Sequence, residues 1–355
     1  MEPLYSIDSL SRLLPIDAVR WRPAVWLGSK GVAGLSSYLA SIIALVLSHH
    51  PTRVDIVHDD ASFILHTDIA IPLEEASDGT VIPFEGFVDN GVAGVVVTGL
   101  SETLEVTIGR TDSAVRLYFE KGARMAYDTF ASATDAPFTT LAFTPDATVF
   151  SATILPPTTI QSYLRRLSYL NQGVRFTFTA SGQTTVYHTE DAVEDLFQVI
   201  AIPCQLLHDP VRIVAEAGDL RLQMVFAYHA GQEDILCTSI NREQAADGGT
   251  HEIGLRQALK ELPDLLCLPP ISWNSPYRIV GAVSILYPRA VWNLRSRSRI
   301  ENPELADAVY RLVRESVVKW GKERPDDALQ LRQLSPSLFS DIWSPRGTFG
   351  GGATP

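Results

Sequence analysis

DGGTHEIGLRQAL, residues 247–259, contains a predicted turn followed by the start of a helix. Gly248 and Gly249 favour a tight turn, because glycine adopts positive φ without a steric penalty. Thr250 then stands where a helix N-cap is expected, and the apolar residues after it have helical spacing. A glycine pair before an amphipathic helix is common, so this stretch alone also fits an ordinary loop and core helix.

Predicted strands flank this turn and helix. One ends in TSIN, residues 238–241, and the other is RIVGAVSILYP, residues 278–288, which runs into a basic loop and NPEL. This order resembles the second domain, the transducer, of the B subunit of DNA gyrase and its topoisomerase IV counterpart, where a strand, an acidic GGTH turn, a helix and a loop carrying QTK recur. The resemblance implies an α+β fold of two domains: a GHKL-type helix-on-mixed-sheet sandwich, then a ribosomal-protein-S5-like α/β transducer domain.

Composition sets limits on the class of protein. The chain has 355 residues, 46% of them apolar and 20% charged, which is typical of a globular protein with room for two domains. The net charge of −12 argues against general coating of nucleic acid, so contact with DNA would require a local basic patch. The longest apolar run, residues 38–47, is about half the length of a membrane span.

The cellular compartment is predicted from the N-terminus and the cysteines. No basic region followed by an apolar one begins the sequence, so we expect a cytoplasmic protein without membrane attachment. The cysteines lack metal-ligand spacing, which favours free thiols in a reducing compartment and no metal site. They are Cys204, Cys237 and Cys267.

Two further segments resemble the same family. DAVRWRPAVWLGS, residues 17–29, is similar to AVRKRPGMYIG, and TIQSYLRRLSYLNQGVRFTF, residues 159–178, is similar to LARRLRELAFLNKGVRITL. From these matches we predict a degenerate ATPase-like domain at 1–154 and a transducer domain at 155–320. A helix from Pro303 to about Trp320 would close the second domain, and residues 321–355 are predicted to be a largely disordered tail.

The segment GLSSYLASIIALVL, residues 34–47, differs most from the family pattern GLHHLVYEVVDNSIDEA. The resemblance places the family's catalytic Glu at Ser41, an Asp at Ala44 and the magnesium-binding Asn at Leu45. A serine hydroxyl is not a general base near neutral pH, and leucine has no oxygen for a hard cation. We therefore predict that this helix belongs to the core and that no catalytic residue remains on it.

Other nucleotide contacts of the family are also changed. HTDIAIP, residues 66–72, stands where the family has DNGRGIP, so His66 replaces the Asp that contacts adenine. FVDNGVA, residues 87–93, replaces the phosphate-cradling GGLHGVG and leaves only Gly91 of its glycines in that run. The resemblance therefore implies loss of both adenine and phosphate contacts.

Three positions in this half of the chain remain candidates for nucleotide contact: Tyr5, Gly91 and Thr139. Thr139 falls on a residue that touches the nucleotide in the family, and it also fits an ordinary strand residue. Phe138 replaces the preceding glycine, and we expect its ring to occupy part of the pocket. Tyr5 matches the arm residue that reaches the partner's nucleotide. It also fits an aromatic residue that anchors the terminus on its own core.

The basic loop after Pro288 carries the remaining candidates for phosphate binding. Counting back from IENPE, the family's QTK falls on residues 295–297, and Arg297 keeps the charge of the Lys that contacts the terminal phosphate. In an extended backbone the side chains of alternate residues point the same way, so we expect the arginines of this loop to form one strip. The strip could touch DNA, or it could be a solvated loop that balances nearby carboxylates. Its members are Arg289, Arg295, Arg297 and Arg299.

Two functions therefore compete. The first is a non-catalytic relative of the gyrase B ATPase and transducer region, with no cofactor, which binds topoisomerase subunits or DNA. The second is a residual ATPase module of a type II DNA topoisomerase, using ATP and Mg²⁺, for which a carboxylate such as Glu74 or Glu75 would have to reach the pocket. The family's EGDSA motif and DxD pair are not found after Gly321, so we expect no DNA cleavage by this chain alone.

Assembly depends on the N-terminal arm. Its apolar residues could support a homodimer, but association entropy and ordering of the arm oppose this, at about 4 to 15 kcal/mol for association. We predict a weak homodimer or a monomer whose state does not respond to ATP. The apolar residues are Ile7, Leu10, Leu13 and Leu14.

Overall fold

The computed structural model describes residues 14–86, 92–132, 134–265, 277–293 and 298–332. Four of the predicted site residues lie outside these ranges: Tyr5, Gly91, Arg295 and Arg297. The chain divides into two compact units, Met1–Glu190 and Asp191–Pro355. None of the helices in the described ranges is long and apolar enough to cross a bilayer.

The first unit is a sheet covered by helices. In chain order its elements are α1 Pro15–Trp21, α2 Pro23–Leu27, α3 Val32–Leu47, β1 Arg53–Asp59, β2 Ser62–Thr67, β3 Glu74–Glu75, β4 Val81–Ile82, α4 Ala93–Leu100, β5 Ser101–Gly109, β6 Ser113–Glu120, β7 Ala123–Ala131, β8 Phe138–Pro145, α5 Pro157–Leu170, β9 Arg175–Ala180 and β10 Gln183–Tyr187. Eight strands form one mixed sheet in the order β10-β9-β1-β2-β8-β5-β6-β7, and β3 pairs with β4 separately.

One core joins the helices of this unit to the sheet. Alternate residues of each strand point to the same face, so β2 buries Phe63 and Leu65 and exposes Ile64. The buried set continues through α1 to α5, with Val19 on α1 and Leu164 on α5 in the same cluster. Burial on the helix-covered face therefore holds this unit together.

The boundary between the units lies later than residues 154 and 155, where the sequence places it. Strand β9 pairs with β1 in parallel, with Arg53 opposite Arg175 and Ile56 opposite Phe178. Strand β10 then pairs antiparallel with β9. Because these strands extend the first sheet, α5 and the hairpin after it belong to the first unit, which ends at Glu190.

The second unit places helices on both faces of a smaller sheet. Its elements are α6 Ala192–Ala201, β11 Val211–Ala217, β12 Leu220–Ala230, β13 Ile235–Ile240, β14 Glu243–Gln244, α7 Thr250–Leu265, β15 Tyr277–Leu286, α8 Pro303–Glu323 and α9 Pro325–Arg332. The sheet order is β11-β12-β15-β13-β14. In β12, Met224 and Phe226 pack with α7 and α8, whereas Val225 and Ala227 pack with α6.

The segment after residue 320 departs from the predicted disordered tail. Helix α8 continues to Glu323, and the Arg324 amide bonds to the Trp320 carbonyl at 2.9 Å. Pro325 then begins α9, since proline suits the first turn of a helix and two aspartates there favour its positive end. Order thus extends to Arg332, and the predicted tail beyond it lies outside the described residues.

Candidate functional site

Helix α3 presents no ionisable group at the three family positions. The Ser41 hydroxyl donates to the Ser37 carbonyl oxygen at 3.0 Å. Leu45 is 7% exposed and belongs to the core cluster of the first unit, and Ala44 is exposed. Since a helix hydroxyl bonded back to the preceding turn is a local structural contact, this strip offers neither a general base nor a metal ligand.

Thr139 is fully buried on the helix-facing side of the sheet. Its hydroxyl donates to the Ile69 carbonyl oxygen at 2.7 Å and accepts from the Ile71 amide at 3.0 Å. These two bonds fix the chain just after β2. The described structure thus gives Thr139 a structural role in the loop at residues 69–71.

Phe138 and His66 lie on the opposite face of the sheet from Thr139. Neighbouring residues of a strand point to opposite faces, and Phe138 pairs with Gly109, where a Cβ would collide with the phenylalanine ring. The rings of His66 and Phe138 stack at 5.8 Å. Phe138 therefore lies on the face of the sheet opposite to Thr139.

Thr67, not His66, is the helix-facing residue at the end of β2. Thr67 is fully buried and donates its hydroxyl to the Arg53 carbonyl oxygen at 2.8 Å. His66 Nδ1 lies 2.9 Å from the Thr140 hydroxyl oxygen. The alternation of burial along β2 fixes which of the two residues faces the helices.

Glu74 and Glu75 are exposed on β3, which pairs with β4 in a separate two-stranded sheet. A third carboxylate, Glu85, lies nearby and is not marked by any motif. It accepts a hydrogen bond from the Val81 amide at 3.0 Å and pairs with Arg124 Nε at 3.4 Å. Its contacts hold the β3–β4 hairpin against β7, so Glu85 has a structural role.

The GGTH turn of the second unit has the predicted backbone form. Gly248 and Gly249 have φ of +63° and +141°. The Gly249 carbonyl accepts from the Glu252 and Ile253 amides at 3.1 and 3.2 Å, so Gly249 acts as the N-cap. The predicted cap, Thr250, is already helical, and its hydroxyl is buried without a hydrogen-bond partner.

The turn is held by the returning chain at residues 298–300. The Asp247 amide donates to the Ser298 carbonyl at 2.9 Å, and the Ile300 amide donates to the Gly248 carbonyl at 3.1 Å. The Thr250 amide donates to the Ile300 carbonyl at 3.1 Å. The GGTH turn and the basic loop, distant in sequence, therefore form one hydrogen-bonded structure.

His251 lies beneath this structure and is fully buried. Its Nε2 is 3.0 Å from the Thr238 hydroxyl, and its Nδ1 has no hydrogen-bond partner. Burial lowers the pKa of His251 to about 4. His251 is therefore neutral near pH 7 and supplies no positive charge for a phosphate.

The basic loop is a hairpin closed at its base. Trp292 pairs with Ile300, and the Asn293 side-chain oxygen accepts from the Ser298 and Arg299 amides at 3.0 and 3.1 Å. The Asn302 side chain donates to the Arg289 carbonyl at 3.0 Å. The sequence predicts that four arginines line one strip. Two of them, Arg289 and Arg299, belong to the described residues, and both lie at this base.

Arg289 and Arg299 differ in their surroundings. The Arg289 guanidinium is 3.5 Å from Asp219 and lies over the Tyr287 ring at 5.4 Å, with its side chain 71% exposed. Arg299 is exposed, and no carboxylate of the described residues pairs with it. An exposed pair is weak, so both charges remain available to an anion.

Comparison with known proteins identifies the relatives of this chain. No family model matches it. It is 27% identical over 288 residues to the B subunit of topoisomerase IV from Streptococcus pneumoniae, covering 73% of this chain and 44% of that protein. It is 24% identical over 366 residues to the B subunit of DNA gyrase from Staphylococcus aureus, covering 91% and 57%. The chain is related to the B subunits of DNA gyrase and topoisomerase IV.

Solved structures of gyrase B share the fold. The 43K ATPase domain of Thermus thermophilus gyrase B, in complex with an aminocoumarin, matches with a TM-score of 0.78 and 20% identity over 93% of this chain and 97% of that one. The gyrase B structure from Myxococcus xanthus matches with a TM-score of 0.72 and 19% identity, covering 89% and 98%. The predicted α+β fold of the GHKL type is confirmed. The chain spans 44% to 57% of the length of the two curated gyrase and topoisomerase relatives above.

Proposed function

We propose that this chain is a non-catalytic relative of the gyrase B ATPase region, which binds topoisomerase subunits or DNA and uses neither ATP nor Mg²⁺. The observation that carries the proposal is the composition of α3 at Ser41, Ala44 and Leu45. The Ser41 hydroxyl is bonded to Ser37, and Leu45 is packed in the core. The fold keeps its sheet and helices although none of these three side chains is charged, and this supports a scaffold role.

The chemistry of ATP hydrolysis explains why these positions matter. A base must orient and deprotonate water, and a hard cation must be held by oxygen ligands beside the phosphates. A methyl group at Ala44 and an isobutyl group at Leu45 supply no such oxygen. The Thr139 hydroxyl is already bonded to Ile69 and Ile71.

A residual ATPase is the alternative function. It requires a carboxylate from outside α3, and the sequence suggests Glu74 or Glu75. Both are exposed on β3, and Glu85 is bonded to Val81 and Arg124. These positions favour the non-catalytic function.

We expect no measurable binding of ATP. Titration calorimetry with a non-hydrolysable ATP analogue and magnesium tests this, with the 43K ATPase domain of Thermus thermophilus gyrase B as the positive control. Light scattering gives a second readout: a monomer or weak homodimer should be unchanged by the analogue. A micromolar dissociation constant, or a dimer formed only with the analogue, would instead favour the residual ATPase.

DNA is the partner that the basic hairpin would contact. The Arg299→Ala variant should weaken binding to duplex DNA and reduce the slope of log affinity against log salt by about one, because one phosphate contact is lost. Fluorescence anisotropy at several salt concentrations measures both quantities. The control is Arg311→Ala, which removes an exposed arginine paired with Asp307 on α8. Equal slopes for the two variants and the wild type would exclude the hairpin as a DNA contact and leave topoisomerase subunits as the proposed partners.

A further inference from the structure

A cleft of about 330 Å³ lies between α3 and α5 in the first unit. Helix α3 contributes Ser36 and Ala40 to its wall, and α5 contributes Tyr163 and Arg166. Pockets that hold small organic ligands in proteins begin at about 300 Å³. The cleft is therefore large enough for a compact organic molecule.

The family positions on α3 are not part of the wall of this cleft. Ser41, Ala44 and Leu45 are absent from its lining, which on α3 includes Ser37 and Ala40, one helical turn before Ser41 and Ala44. A ligand there would not depend on the positions to which the family resemblance assigns nucleotide chemistry.

The floor of the cleft is apolar. Leu155 and Ile160 are each 1% exposed, and Leu39 is 3% exposed. Such a floor favours an apolar group, because contact with it removes apolar surface of both partners from water. A ring or short hydrocarbon chain fits this chemistry better than a bare inorganic ion.

The rim supplies a positive charge. Arg166 is exposed, and its guanidinium lies 5.5 Å from the centre of the Tyr163 ring. No carboxylate among the described residues forms an ion pair with Arg166, although the chain carries a net charge of −12. A guanidinium offers paired donors that match a phosphate or carboxylate.

Tyr163 adds a neutral donor at the same rim. Burial raises the pKa of Tyr163 to about 12, so its phenol keeps its proton at neutral pH. A protonated phenol can donate to an anion, whereas a phenolate would repel it. Arg166 and Tyr163 together thus suit a negatively charged group.

We infer that the cleft between α3 and α5 binds a small organic anion, with its apolar body on Leu155 and Ile160 and its phosphate or carboxylate on Arg166. This inference concerns a binding site separate from the proposed role in topoisomerase or DNA binding. Phenyl phosphate is a suitable probe, because it joins one ring to one dianionic group. Benzoate tests the carboxylate, phenol tests the ring alone, and inorganic phosphate tests the charge alone.

The experiment is a titration of the full chain, followed by amide chemical shifts in nuclear magnetic resonance. Phenyl phosphate or benzoate should shift amides of α3 and α5, and phenol and inorganic phosphate should bind at least about tenfold more weakly, since each lacks one of the two contacts. The Arg166→Gln variant should bind phenyl phosphate and benzoate about tenfold more weakly, because a charge-assisted hydrogen bond is lost.

The matched control is Arg165→Gln. Arg165 precedes Arg166 on α5 and is also exposed, but it lies over Tyr187 and does not line the cleft. Unchanged thermal unfolding of both variants shows that neither affects folding. Equal weakening by both variants, shifts confined to other parts of the chain, or no shift at millimolar phenyl phosphate and benzoate would each overturn the inference.

Discussion

Gly249→Ala should destabilise the second unit by about 3 to 4 kcal/mol, because the new methyl group meets backbone that cannot move aside. An ideal Cβ at this position would lie against the Ile300 carbonyl and 2.6 Å from the Ile300 amide nitrogen. The φ of +141° is also one that residues with a side chain rarely adopt. The hydrogen bonds that join the turn to the hairpin would be distorted at the same time.

The measurement is thermal or urea unfolding with hydrogen exchange on peptides of α7 and β15, which reports on this unit directly. A loss of this size lowers the melting temperature by roughly 10 °C for a unit of this length. Gly218→Ala is the control: Gly218 has φ of +58° in the same unit, but nothing lies within 4 Å of its added Cβ. Gly218→Ala should lower stability by only about 1 kcal/mol, which is the cost of a left-handed backbone for alanine. Equal losses for the two variants would show that the contact with Ile300 is unimportant.

Asp146→Ala should destabilise the first unit by about 3 kcal/mol, because it removes a buried carboxylate and leaves its hydrogen-bond partners unpaired. Asp146 is fully buried. It accepts from Arg20 Nη2 at 2.8 Å, from the Thr148 amide at 2.8 Å and from the Thr148 hydroxyl at 2.6 Å. Arg20 also donates to the Gly99 carbonyl at 2.6 Å, so the carboxylate ties α1 to the end of β8 and the end of α4.

The pH dependence of this contribution has a definite sign. Burial alone would raise the pKa of Asp146, but hydrogen bonds from Thr148 and Arg20 outweigh it and hold the pKa below the ordinary 3.8. A carboxyl with a depressed folded pKa stabilises fully above its unfolded pKa and loses that contribution as the pH falls through the folded value. The difference between wild type and Asp146→Ala should therefore be largest above about pH 4 and shrink in stronger acid.

Urea unfolding at pH 7 and at low pH, with hydrogen exchange on peptides of α1 and β8, measures both effects. Asp128→Ala is the matched control, since Asp128 pairs with Arg116 at 3.2 Å while both side chains are about half exposed. An exposed pair of this kind contributes about 0 to 1 kcal/mol. If Asp146→Ala were no worse than Asp128→Ala, the buried network would have no special role in stability.

Local features of this chain were readable from sequence. The glycine pair at 248 and 249 predicted a turn with positive φ, and α7 follows it as expected. The absence of Asp, Glu and His from α3 was also visible, because it depends only on residue type. These features need no information about distant residues.

Strand register was decided by the tertiary structure. His66 and Phe138 lie on the opposite face of the sheet from Thr67 and Thr139, although each is a direct neighbour of one of them in the sequence. A shift of one residue reverses the face of every side chain in a strand. Register is set by cross-strand pairing, which a linear motif does not record.

The sequence by itself determined the order of helices and strands, the glycine turn and the chemistry that α3 lacks. Only the tertiary structure placed the boundary of the first unit at Glu190, formed the cleft between α3 and α5 and joined the GGTH turn to the hairpin base. The physical reason is the range of the interactions. Turn and helix signals act within a few residues, whereas β9 pairs with a strand more than 100 residues earlier in the chain, and pairing at that distance depends on the whole sheet.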